Sequence, residues 1–181
     1  MKVALSVRLM SEDTQPVAVV VMGVCGTGKS TIGQSLAAAL GCTYADADDY
    51  HPPENVAKMR SGNALNDTDR EPWLDRLRSL IEDHQSKGRG IVLACSALRE
   101  IYRERLQPET GTLHWIFLQG DRELLAARMA ARTDHYMPPT LLDSQLATLE
   151  VPAPRDALWC NVADSPAEIS RQAIAYVTSS T

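Results

Sequence analysis

The sequence Val17-Ala-Val-Val-Val-Met22 leads directly into Gly23-Val-Cys-Gly-Thr-Gly-Lys-Ser30. The first run is short, apolar and rich in valine, which is typical of a buried β-strand. The second run has the spacing G-x-x-x-x-G-K-[ST] of a phosphate-binding loop. A helical pattern then continues from Thr31 to Leu40, and Gly41 is placed to end it. Strand, glycine-rich loop and helix in this order predict a nucleotide-binding site.

The chemistry of the loop follows from its glycines, which allow successive backbone N–H groups to point at phosphate oxygens near the positive end of the helix. Lys29 is expected to reach the β- and γ-phosphates of ATP, and Ser30 to ligate Mg²⁺. The predicted ATP site also includes one arginine from a later helix. The residues of this ATP site are Gly23, Val24, Cys25, Gly26, Thr27, Gly28, Lys29, Ser30, Thr31 and Arg128.

Composition favours one globular domain. The chain has 181 residues and is 44% hydrophobic, and we place an N-terminal extension at residues 1–16 and a single domain at 17–181. A net charge of −5 gives no basic excess for a nucleic-acid partner. The sequence predicts no membrane partner, because no apolar run reaches membrane-spanning length and the first residues make a poor signal peptide. Four cysteines without a C-x-x-C pair indicate reduced thiols in a cytoplasmic protein.

Strand patterns alternate with helical patterns along the rest of the chain, which predicts an α/β fold with a parallel sheet of about five strands flanked by helices. The further strands are expected at 42–45, 90–96, 113–118 and 157–162. Further helices are expected at 54–60, 97–106, 123–131, 141–149 and 166–176, with Asp121 as the cap of the 123–131 helix. One more helix is expected from an N-cap at Asp69, near Pro72, to about Gln85. The polar, proline-containing segment 132–140 is predicted to be a lid.

Three acidic residues, Asp46, Asp48 and Asp49, stand where the second strand ends. Ligands of open α/β sheets bind outside the carboxyl ends of the strands, so these carboxylates are candidates for the site. A motor-type ATPase would carry an acid at the end of the 90–96 strand, where Cys95 and Ser96 stand instead. We therefore expect Asp46 or Asp48 to supply the acid on the Mg²⁺ side, as suits a small-metabolite kinase.

A regulatory GTPase is the main alternative from another class, but it needs a D-x-x-G segment and an N-K-x-D segment, and neither occurs in the sequence. Basic residues support the kinase interpretation. Arg128 and Arg132 are four apart before the lid, and Arg99 and Arg103 are four apart after the third strand, beside Tyr102. Such pairs share a helix face and could hold phosphate and an acidic substrate.

Several blocks resemble the gluconate kinases, a family of P-loop small-metabolite kinases. They are Asp46-Ala-Asp-Asp-Tyr-His-Pro52, Leu65-Asn-Asp-x-Asp-Arg-x-Pro-Trp-Leu74, Cys95-Ser-Ala-Leu-Arg-x-x-Tyr-Arg103, Leu142-x-Ser-Gln145 and Leu149-Glu-x-Pro152. The resemblance implies phosphorylation of D-gluconate at its 6-hydroxyl by ATP. It also implies a P-loop nucleoside triphosphate hydrolase fold, like that of shikimate and nucleoside monophosphate kinases, with a closing lid and a homodimer.

By similarity to shikimate kinases, Asp46 is expected near Mg²⁺ and Asp48 near the substrate hydroxyl. The expected catalytic residues are Lys29, Asp48 and Arg132. The candidates for substrate binding are Asp48, His51, Lys58, Arg60, Arg70, Arg99, Tyr102, Arg103 and His135. A shikimate or nucleoside monophosphate kinase with another acceptor pocket is the rival enzyme, and a nucleotide-binding regulator is the rival outside enzymes.

Overall fold

A computed structural model describes residues 16–131 and 139–179. Its centre is a sheet of five parallel strands in the order β2-β3-β1-β4-β5, which confirms the predicted architecture. The strands are β1 (Ala18–Met22), β2 (Thr43–Asp46), β3 (Ile91–Ala94), β4 (Leu113–Gln119) and β5 (Leu158–Asn161). The predicted extension at 1–16 lies outside the described residues, apart from Pro16.

Helices connect the strands, as the alternating pattern predicts. They are α1 (Lys29–Leu40), α2 (Pro53–Arg60), α3 (Asp67–Ser86), α4 (Glu100–Leu106), α5 (Arg122–Ala130), α6 (Pro139–Thr148) and α7 (Pro166–Ser179), with a 3₁₀ turn at Ala47–Tyr50 after β2. Gly41 ends α1 with φ 65°, in the left-handed conformation expected of a glycine at this position.

The core lies on both faces of the sheet, because successive strand residues point to opposite sides. Val20 and Met22 of β1 pack into the apolar cluster beneath α3 and α4. Val19 and Val21 pack into the cluster that α1, α5, α6 and α7 cover. All five residues of β1 are fully buried, so the loop that follows this strand stands on the most rigid part of the sheet.

The predicted start of α3 is wrong. Its N-cap is Asn66, whose side chain accepts the Asp69 N–H while the Asp69 carboxylate accepts the Asn66 N–H, each at 2.8 Å. This reciprocal capping box satisfies two backbone donors, which Asp69 as N-cap could not do. Pro72 accordingly lies inside the helix.

Three other helix predictions need correction. Helix α4 begins at Glu100 and not at residue 97, because Ala97 has φ 44° and Arg99 is the extended N-cap. Arg99 and Arg103 therefore share no helix face. Asp121 is at the N-cap of α5, but its side chain makes no capping hydrogen bond. The last two residues of the predicted lid, 139–140, belong to α6, and 132–138 lie outside the described residues.

The strand register brings several loops to one edge of the sheet. Val21 pairs with Ala94, and Asp46 of β2 pairs with the same residue of β3, so the chain leaves β1, β2 and β3 at the same level. All four cysteines are described and none is in a disulfide; three are buried. Within 16–131 and 139–179, no helix has the length and apolar character that crossing a bilayer requires.

Candidate active site

The loop between β1 and α1 is shaped by glycines at positions where a side chain would collide. Gly23 has φ 144°, and a Cβ there would lie 2.5 Å from the Leu118 carbonyl oxygen. Gly26 has φ 80°, and a Cβ would meet the Met129 side chain at 3.0 Å. Gly28, with φ 88°, is the N-cap of α1. The loop therefore turns tightly and presents the amino end of a helix, which is the anion-binding arrangement predicted from the spacing.

The peptide that joins Val24 to Cys25 is hydrogen-bonded through both its carbonyl oxygen and its N–H. Its carbonyl oxygen accepts the Lys29 ammonium at 3.0 Å and the Thr27 hydroxyl at 2.8 Å. Its N–H donates to the side-chain oxygen of Gln145 at 2.7 Å. Burial lowers the pKa of Lys29, and the nearby Asp48 carboxylate opposes that effect. Lys29 is thus held in the loop as a partly desolvated cation, with its charge favoured further by any anion that binds.

A pocket of about 280 Å³ opens beside the loop. Its walls come from the loop, α1, α5, the segment after β5 and the start of α7. The lining residues are Gly26, Thr27, Gly28, Thr31, Ile32, Arg128, Val162, Asp164, Pro166 and Ile169. Arg128 donates to the Val162 carbonyl oxygen at 2.6 Å. The pocket therefore brings Arg128 together with Gly26, Thr27, Gly28 and Thr31, all of which belong to the predicted ATP site.

Ser30 and Asp46 lie side by side, as predicted for the Mg²⁺ position. The Ser30 hydroxyl donates to one Asp46 carboxylate oxygen at 3.3 Å, and the Tyr44 hydroxyl donates to the same oxygen at 3.2 Å. A hydroxyl and a carboxylate are ligands that Mg²⁺ takes in proteins, and this ion keeps phosphate and water ligands for the rest of its shell. Over the described ranges, no group of three or more His, Cys, Asp or Glu side chains could hold a metal alone.

Cys95 occupies the end of β3, where a motor-type ATPase would have an acid. Its thiol is buried, and burial raises its pKa to about 12. A protonated thiol is a poor ligand for Mg²⁺, so Cys95 does not replace the acid of a motor-type ATPase, and Asp46 at the end of β2 stays the predicted acid on the metal side.

Asp48 lies in the 3₁₀ turn after β2, at the sheet edge where the loops after β1 and β3 also begin, and we call this open edge the cleft. Its backbone N–H donates to Asp46 at 3.1 Å, and its side chain is 85% exposed. Surrounding protein atoms, followed by the Asp46 carboxylate, raise the pKa of Asp48, while His51 and Lys29 oppose this. Solvent screens most of that shift at so exposed a group. Asp48 is therefore an accessible carboxylate facing the loop that carries Lys29.

Helix α3 holds the turn that carries Asp48. The Trp73 indole N–H donates to the Ala47 carbonyl oxygen at 2.8 Å, and the Trp73 ring stacks on His51 with centroids 4.3 Å apart. His51 Nε2 lies 3.9 Å from an Asp48 carboxylate oxygen, and burial lowers the pKa of His51. A neutral imidazole that stacks on Trp73 therefore flanks the candidate base.

Arg99, which precedes α4, is already paired with carboxylates of the chain. Arg99 forms ion pairs with Asp67 and with Glu150, the latter at 3.3 Å. The Tyr102 hydroxyl donates to Asp67, and Arg70 lies over the Tyr102 ring at 5.5 Å. The result is a connected cluster in which Asp67 has a lowered pKa because of its hydrogen bonds with Tyr102 and Arg99.

The remaining predicted substrate residues are dispersed. Lys58 pairs with Asp69 at 2.5 Å. Arg60 is exposed at the end of α2. Arg103 donates to the carbonyl oxygens of Ala97 and Leu98, at 3.0 and 3.3 Å, and so supports the loop that carries Arg99. Arg132 and His135 lie outside the described residues, and their roles stay predictions.

Sequence reasoning missed three residues that the structure places at the site. Gln145 binds the phosphate loop, Glu150 binds Arg99 and the Glu100 N–H, and Asp67 joins Arg99 to Tyr102. A signal for all three was present, because each lies within one of the blocks that resemble gluconate kinases. Spacing alone carried no such signal, since the contacts join residues 32 or more apart.

Comparisons with known proteins agree with this geometry. A family model described as shikimate kinase matches residues 25–180. A probable gluconokinase of Xenopus tropicalis is 45% identical over 152 residues, with 75% of this chain and 79% of the relative covered. The gluconokinase of Gluconobacter oxydans is 44% identical, with 76% and 78% covered. The crystal structure of a gluconokinase from Sinorhizobium meliloti 1021 superimposes with a TM-score of 0.79 at 41% identity, covering 91% of this chain and 93% of that one.

Proposed function

The chain belongs to the gluconokinases within the shikimate kinase family, and from this premise we propose that it transfers the γ-phosphoryl group of ATP to D-gluconate, giving 6-phospho-D-gluconate. One observation carries the proposal. The phosphate loop follows β1, Asp48 follows β2 and Arg99 follows β3, and the register ends these three strands at the same level of the sheet. Arg99 forms a cluster with Arg70 and Tyr102. This arrangement offers hydrogen-bond donors and cations to an anionic phosphoryl donor and to an acidic acceptor.

The donor side acts by charge and position. Backbone N–H groups of residues 26–31 and the Lys29 ammonium bind the phosphates, and Arg128 lines the pocket for the base. Ser30 and Asp46 would hold Mg²⁺, which supplies positive charge to the β- and γ-phosphate oxygens. In a loose phosphoryl-transfer transition state, positioning and charge stabilisation supply most of the rate.

Asp48 orients the 6-hydroxyl of the acceptor and takes its proton. The hydroxyl oxygen forms a bond to the γ-phosphorus as the bond from that phosphorus to the bridging oxygen of ADP breaks, and the proton passes to the Asp48 carboxylate. The carboxylate is accessible in the cleft and faces the loop, as a base for this step must.

Arg70, Arg99 and Tyr102 are the best placed of the candidate acceptor ligands, because they form one cluster around the Tyr102 ring and, besides burial, the Arg70 charge also lowers the pKa of His51. An arginine that binds a carboxylate with two parallel hydrogen bonds orients the substrate as well as holding it. We extend the acceptor site to His51, Lys58, Arg60, Arg103 and His135, and assign Arg132 to the γ-phosphoryl group within a lid. A homodimer, which the family resemblance implies, and a cytoplasmic location, which the reduced cysteines indicate, complete the proposal.

A panel of acceptors tests the assignment. Release of ADP would be followed in a coupled assay with ATP, Mg²⁺ and, separately, D-gluconate, shikimate and nucleoside monophosphates. We expect turnover with D-gluconate and none with the others. Turnover with shikimate alone would keep the phosphate loop and overturn the acceptor assignment. Binding of ATP without turnover of any acceptor would favour a nucleotide-binding regulator.

A further inference from the structure

Gln145 is the only described residue outside the loop region whose side chain is seen to hydrogen-bond the loop backbone within Gly23–Ser30. It lies on α6, 120 residues away in sequence from its partner Cys25. Its carboxamide oxygen accepts the Cys25 N–H at 2.7 Å in a partly buried contact. The proposed function assigns no task to this residue, so the contact needs its own explanation.

The peptide between Val24 and Cys25 links Gln145 to Lys29. A trans peptide is planar, and its C=O and N–H point in opposite directions. Gln145 holds the N–H on one side, and the Lys29 ammonium and Thr27 hydroxyl bind the C=O on the other. A rotation of this peptide would break all three hydrogen bonds at once, so fixing the N–H also fixes the carbonyl that anchors Lys29.

Helix α6 is anchored well enough to serve as a rigid support. Leu142, one turn before Gln145, is 1% exposed and belongs to the same apolar cluster as Val24, Cys25 and Met129. Residues three apart lie on the same helix face, so burial of Leu142 directs Gln145 toward the loop. Arg122 of α5 binds Asp143 with two hydrogen bonds, at 2.6 and 2.9 Å.

The segment just after α6 is bonded to the acceptor side. The Glu150 N–H donates to the Leu98 carbonyl oxygen at 2.8 Å, and the Glu150 carboxylate accepts the Glu100 N–H at 2.6 Å and the Arg99 guanidinium at 3.3 Å. The stretch from Gln145 to Glu150 thus spans from the phosphate loop to the loop that carries Arg99.

From this geometry we propose that Gln145 is a positioning residue for phosphoryl transfer, which acts through the Val24–Cys25 peptide to set the place of Lys29 relative to the acceptor cluster. The inference rests on the proposed function for its kinetic consequence. The structural role of Gln145, which is to fix the Val24–Cys25 peptide, does not depend on which acceptor the enzyme phosphorylates.

Two substitutions separate the effect of the Gln145 side-chain oxygen, which accepts the hydrogen bond, from the effect of side-chain size. Gln145→Met keeps the length but removes the oxygen, whereas Gln145→Glu keeps an oxygen that accepts the Cys25 N–H. Thr148→Ala is the matched control, because it lies on the same helix, is exposed and bonds only within α6 through the Ser144 carbonyl oxygen. Amide exchange of Cys25 would be followed by NMR, beside kcat, the KM for each substrate and the Kd for ATP.

In Gln145→Met we expect Cys25 to lose its exchange protection and kcat to fall roughly tenfold to a hundredfold, as small misplacements of catalytic groups do. The KM for D-gluconate should stay within about twofold of wild type, since the acceptor cluster keeps its own ion pairs. Gln145→Glu should restore the protection of Cys25 and raise kcat above that of Gln145→Met. Thr148→Ala should behave as wild type.

Three outcomes would overturn the proposal. They are unchanged kcat in Gln145→Met, a fall in kcat while Cys25 stays protected, or an equal loss in Thr148→Ala. If wild type did not phosphorylate D-gluconate, the proposed function would fail by itself. Exchange at Cys25 and the Kd for ATP, which should rise severalfold in Gln145→Met, would then still decide the role of Gln145.

Discussion

Two halves of the site meet at the carboxyl edge of the sheet and are made of different groups. The nucleotide half, residues 23–31 with Arg128, relies on backbone geometry and one short sequence. The acceptor half, which comprises Asp48, His51, Asp67, Arg70, Arg99 and Tyr102, relies on side chains from separate turns and helices. In the proposed function, the first half binds phosphate groups common to all nucleotides, so backbone N–H groups suffice. The second half would have to recognise one acceptor, which requires side chains from several separate elements.

The halves also differ in how their charges are balanced. Lys29 is desolvated and hydrogen-bonded to a neutral carbonyl, so its charge is available to an incoming phosphate. Arg99 is already paired with two carboxylates. An acceptor carboxylate therefore competes with the chain's own acids, which favours selectivity over tight binding.

Replacement of Lys29 is the largest expected disruption, since it removes the cation of the nucleotide half. We expect Lys29→Ala to lower kcat/KM by about 10²–10³-fold, the usual cost of one group that stabilises transition-state charge. The thermal midpoint should change little, because in the unliganded chain the Lys29 ammonium makes a single hydrogen bond, to Val24. Coupled ADP release and circular dichroism would measure both. Turnover near the wild-type rate would refute the role of this loop in catalysis.

Asp48 stands between the halves, and its replacement tests which of the acids after β2 is the base. Asp48→Asn should lower kcat by about 10²-fold or more while leaving the KM for ATP unchanged, since a general base acts on the acceptor hydroxyl. Asp49→Asn, one residue on and also exposed, gives the comparison. A larger loss in Asp49→Asn would move the base to that residue.

The nucleotide half, apart from Arg128, was predictable because everything it needs is local. Its strand, glycines, lysine and helix are consecutive in sequence, and the spacing alone specifies the geometry. The acceptor half could be predicted only as a set of residue types. The pairing of Arg99 with Arg103 was wrong because Ala97, with φ 44°, delays the start of α4. No local pattern reports that conformation in an alanine.

The contacts of Gln145 and Glu150 also could not be predicted from local sequence. Both residues lie in or just after a helix whose existence the pattern predicted, yet their partners are 120 and 51 residues away. Helical periodicity indicates which residues share a face, but the neighbour of that face depends on how the helices pack on the sheet. Residues that join distant loops were therefore absent from the predicted site.

Arg99 tests the acceptor half alone. Arg99→Ala should raise the KM for D-gluconate about tenfold, the cost of losing one charged hydrogen-bonding group, and leave the KM for ATP unchanged. Arg105 is a matched control, because its side chain is 35% exposed against 32% for Arg99, and it also pairs with two acids, Asp75 and Glu71. Equal effects of Arg99→Ala and Arg105→Ala on KM would mean that general surface charge, and not this cluster, attracts the acceptor.

The smallest expected effect concerns stability and pH in the acceptor half. Hydrogen bonds with Tyr102 and Arg99 lower the pKa of Asp67 in the folded chain. The ionised form is therefore favoured by folding, and its contribution to stability is present above the ordinary pKa of 3.8 and lost as pH falls through the lower folded value. Asp67→Asn should thus lower the thermal midpoint at neutral pH, and the difference in midpoint from wild type should close as pH falls below roughly 4.

Asp83→Asn is the comparison, since Asp83 pairs with Lys87 on the exposed end of α3, away from the cleft, and its pKa is also lowered. Both variants should show the same dependence of stability on pH, but only Asp67→Asn should alter the KM for D-gluconate, because Asp67 alone of the two holds Arg99 in place. A gap for Asp67→Asn that persisted at acid pH would mean that Asp67 stabilises the fold by contacts other than its charge.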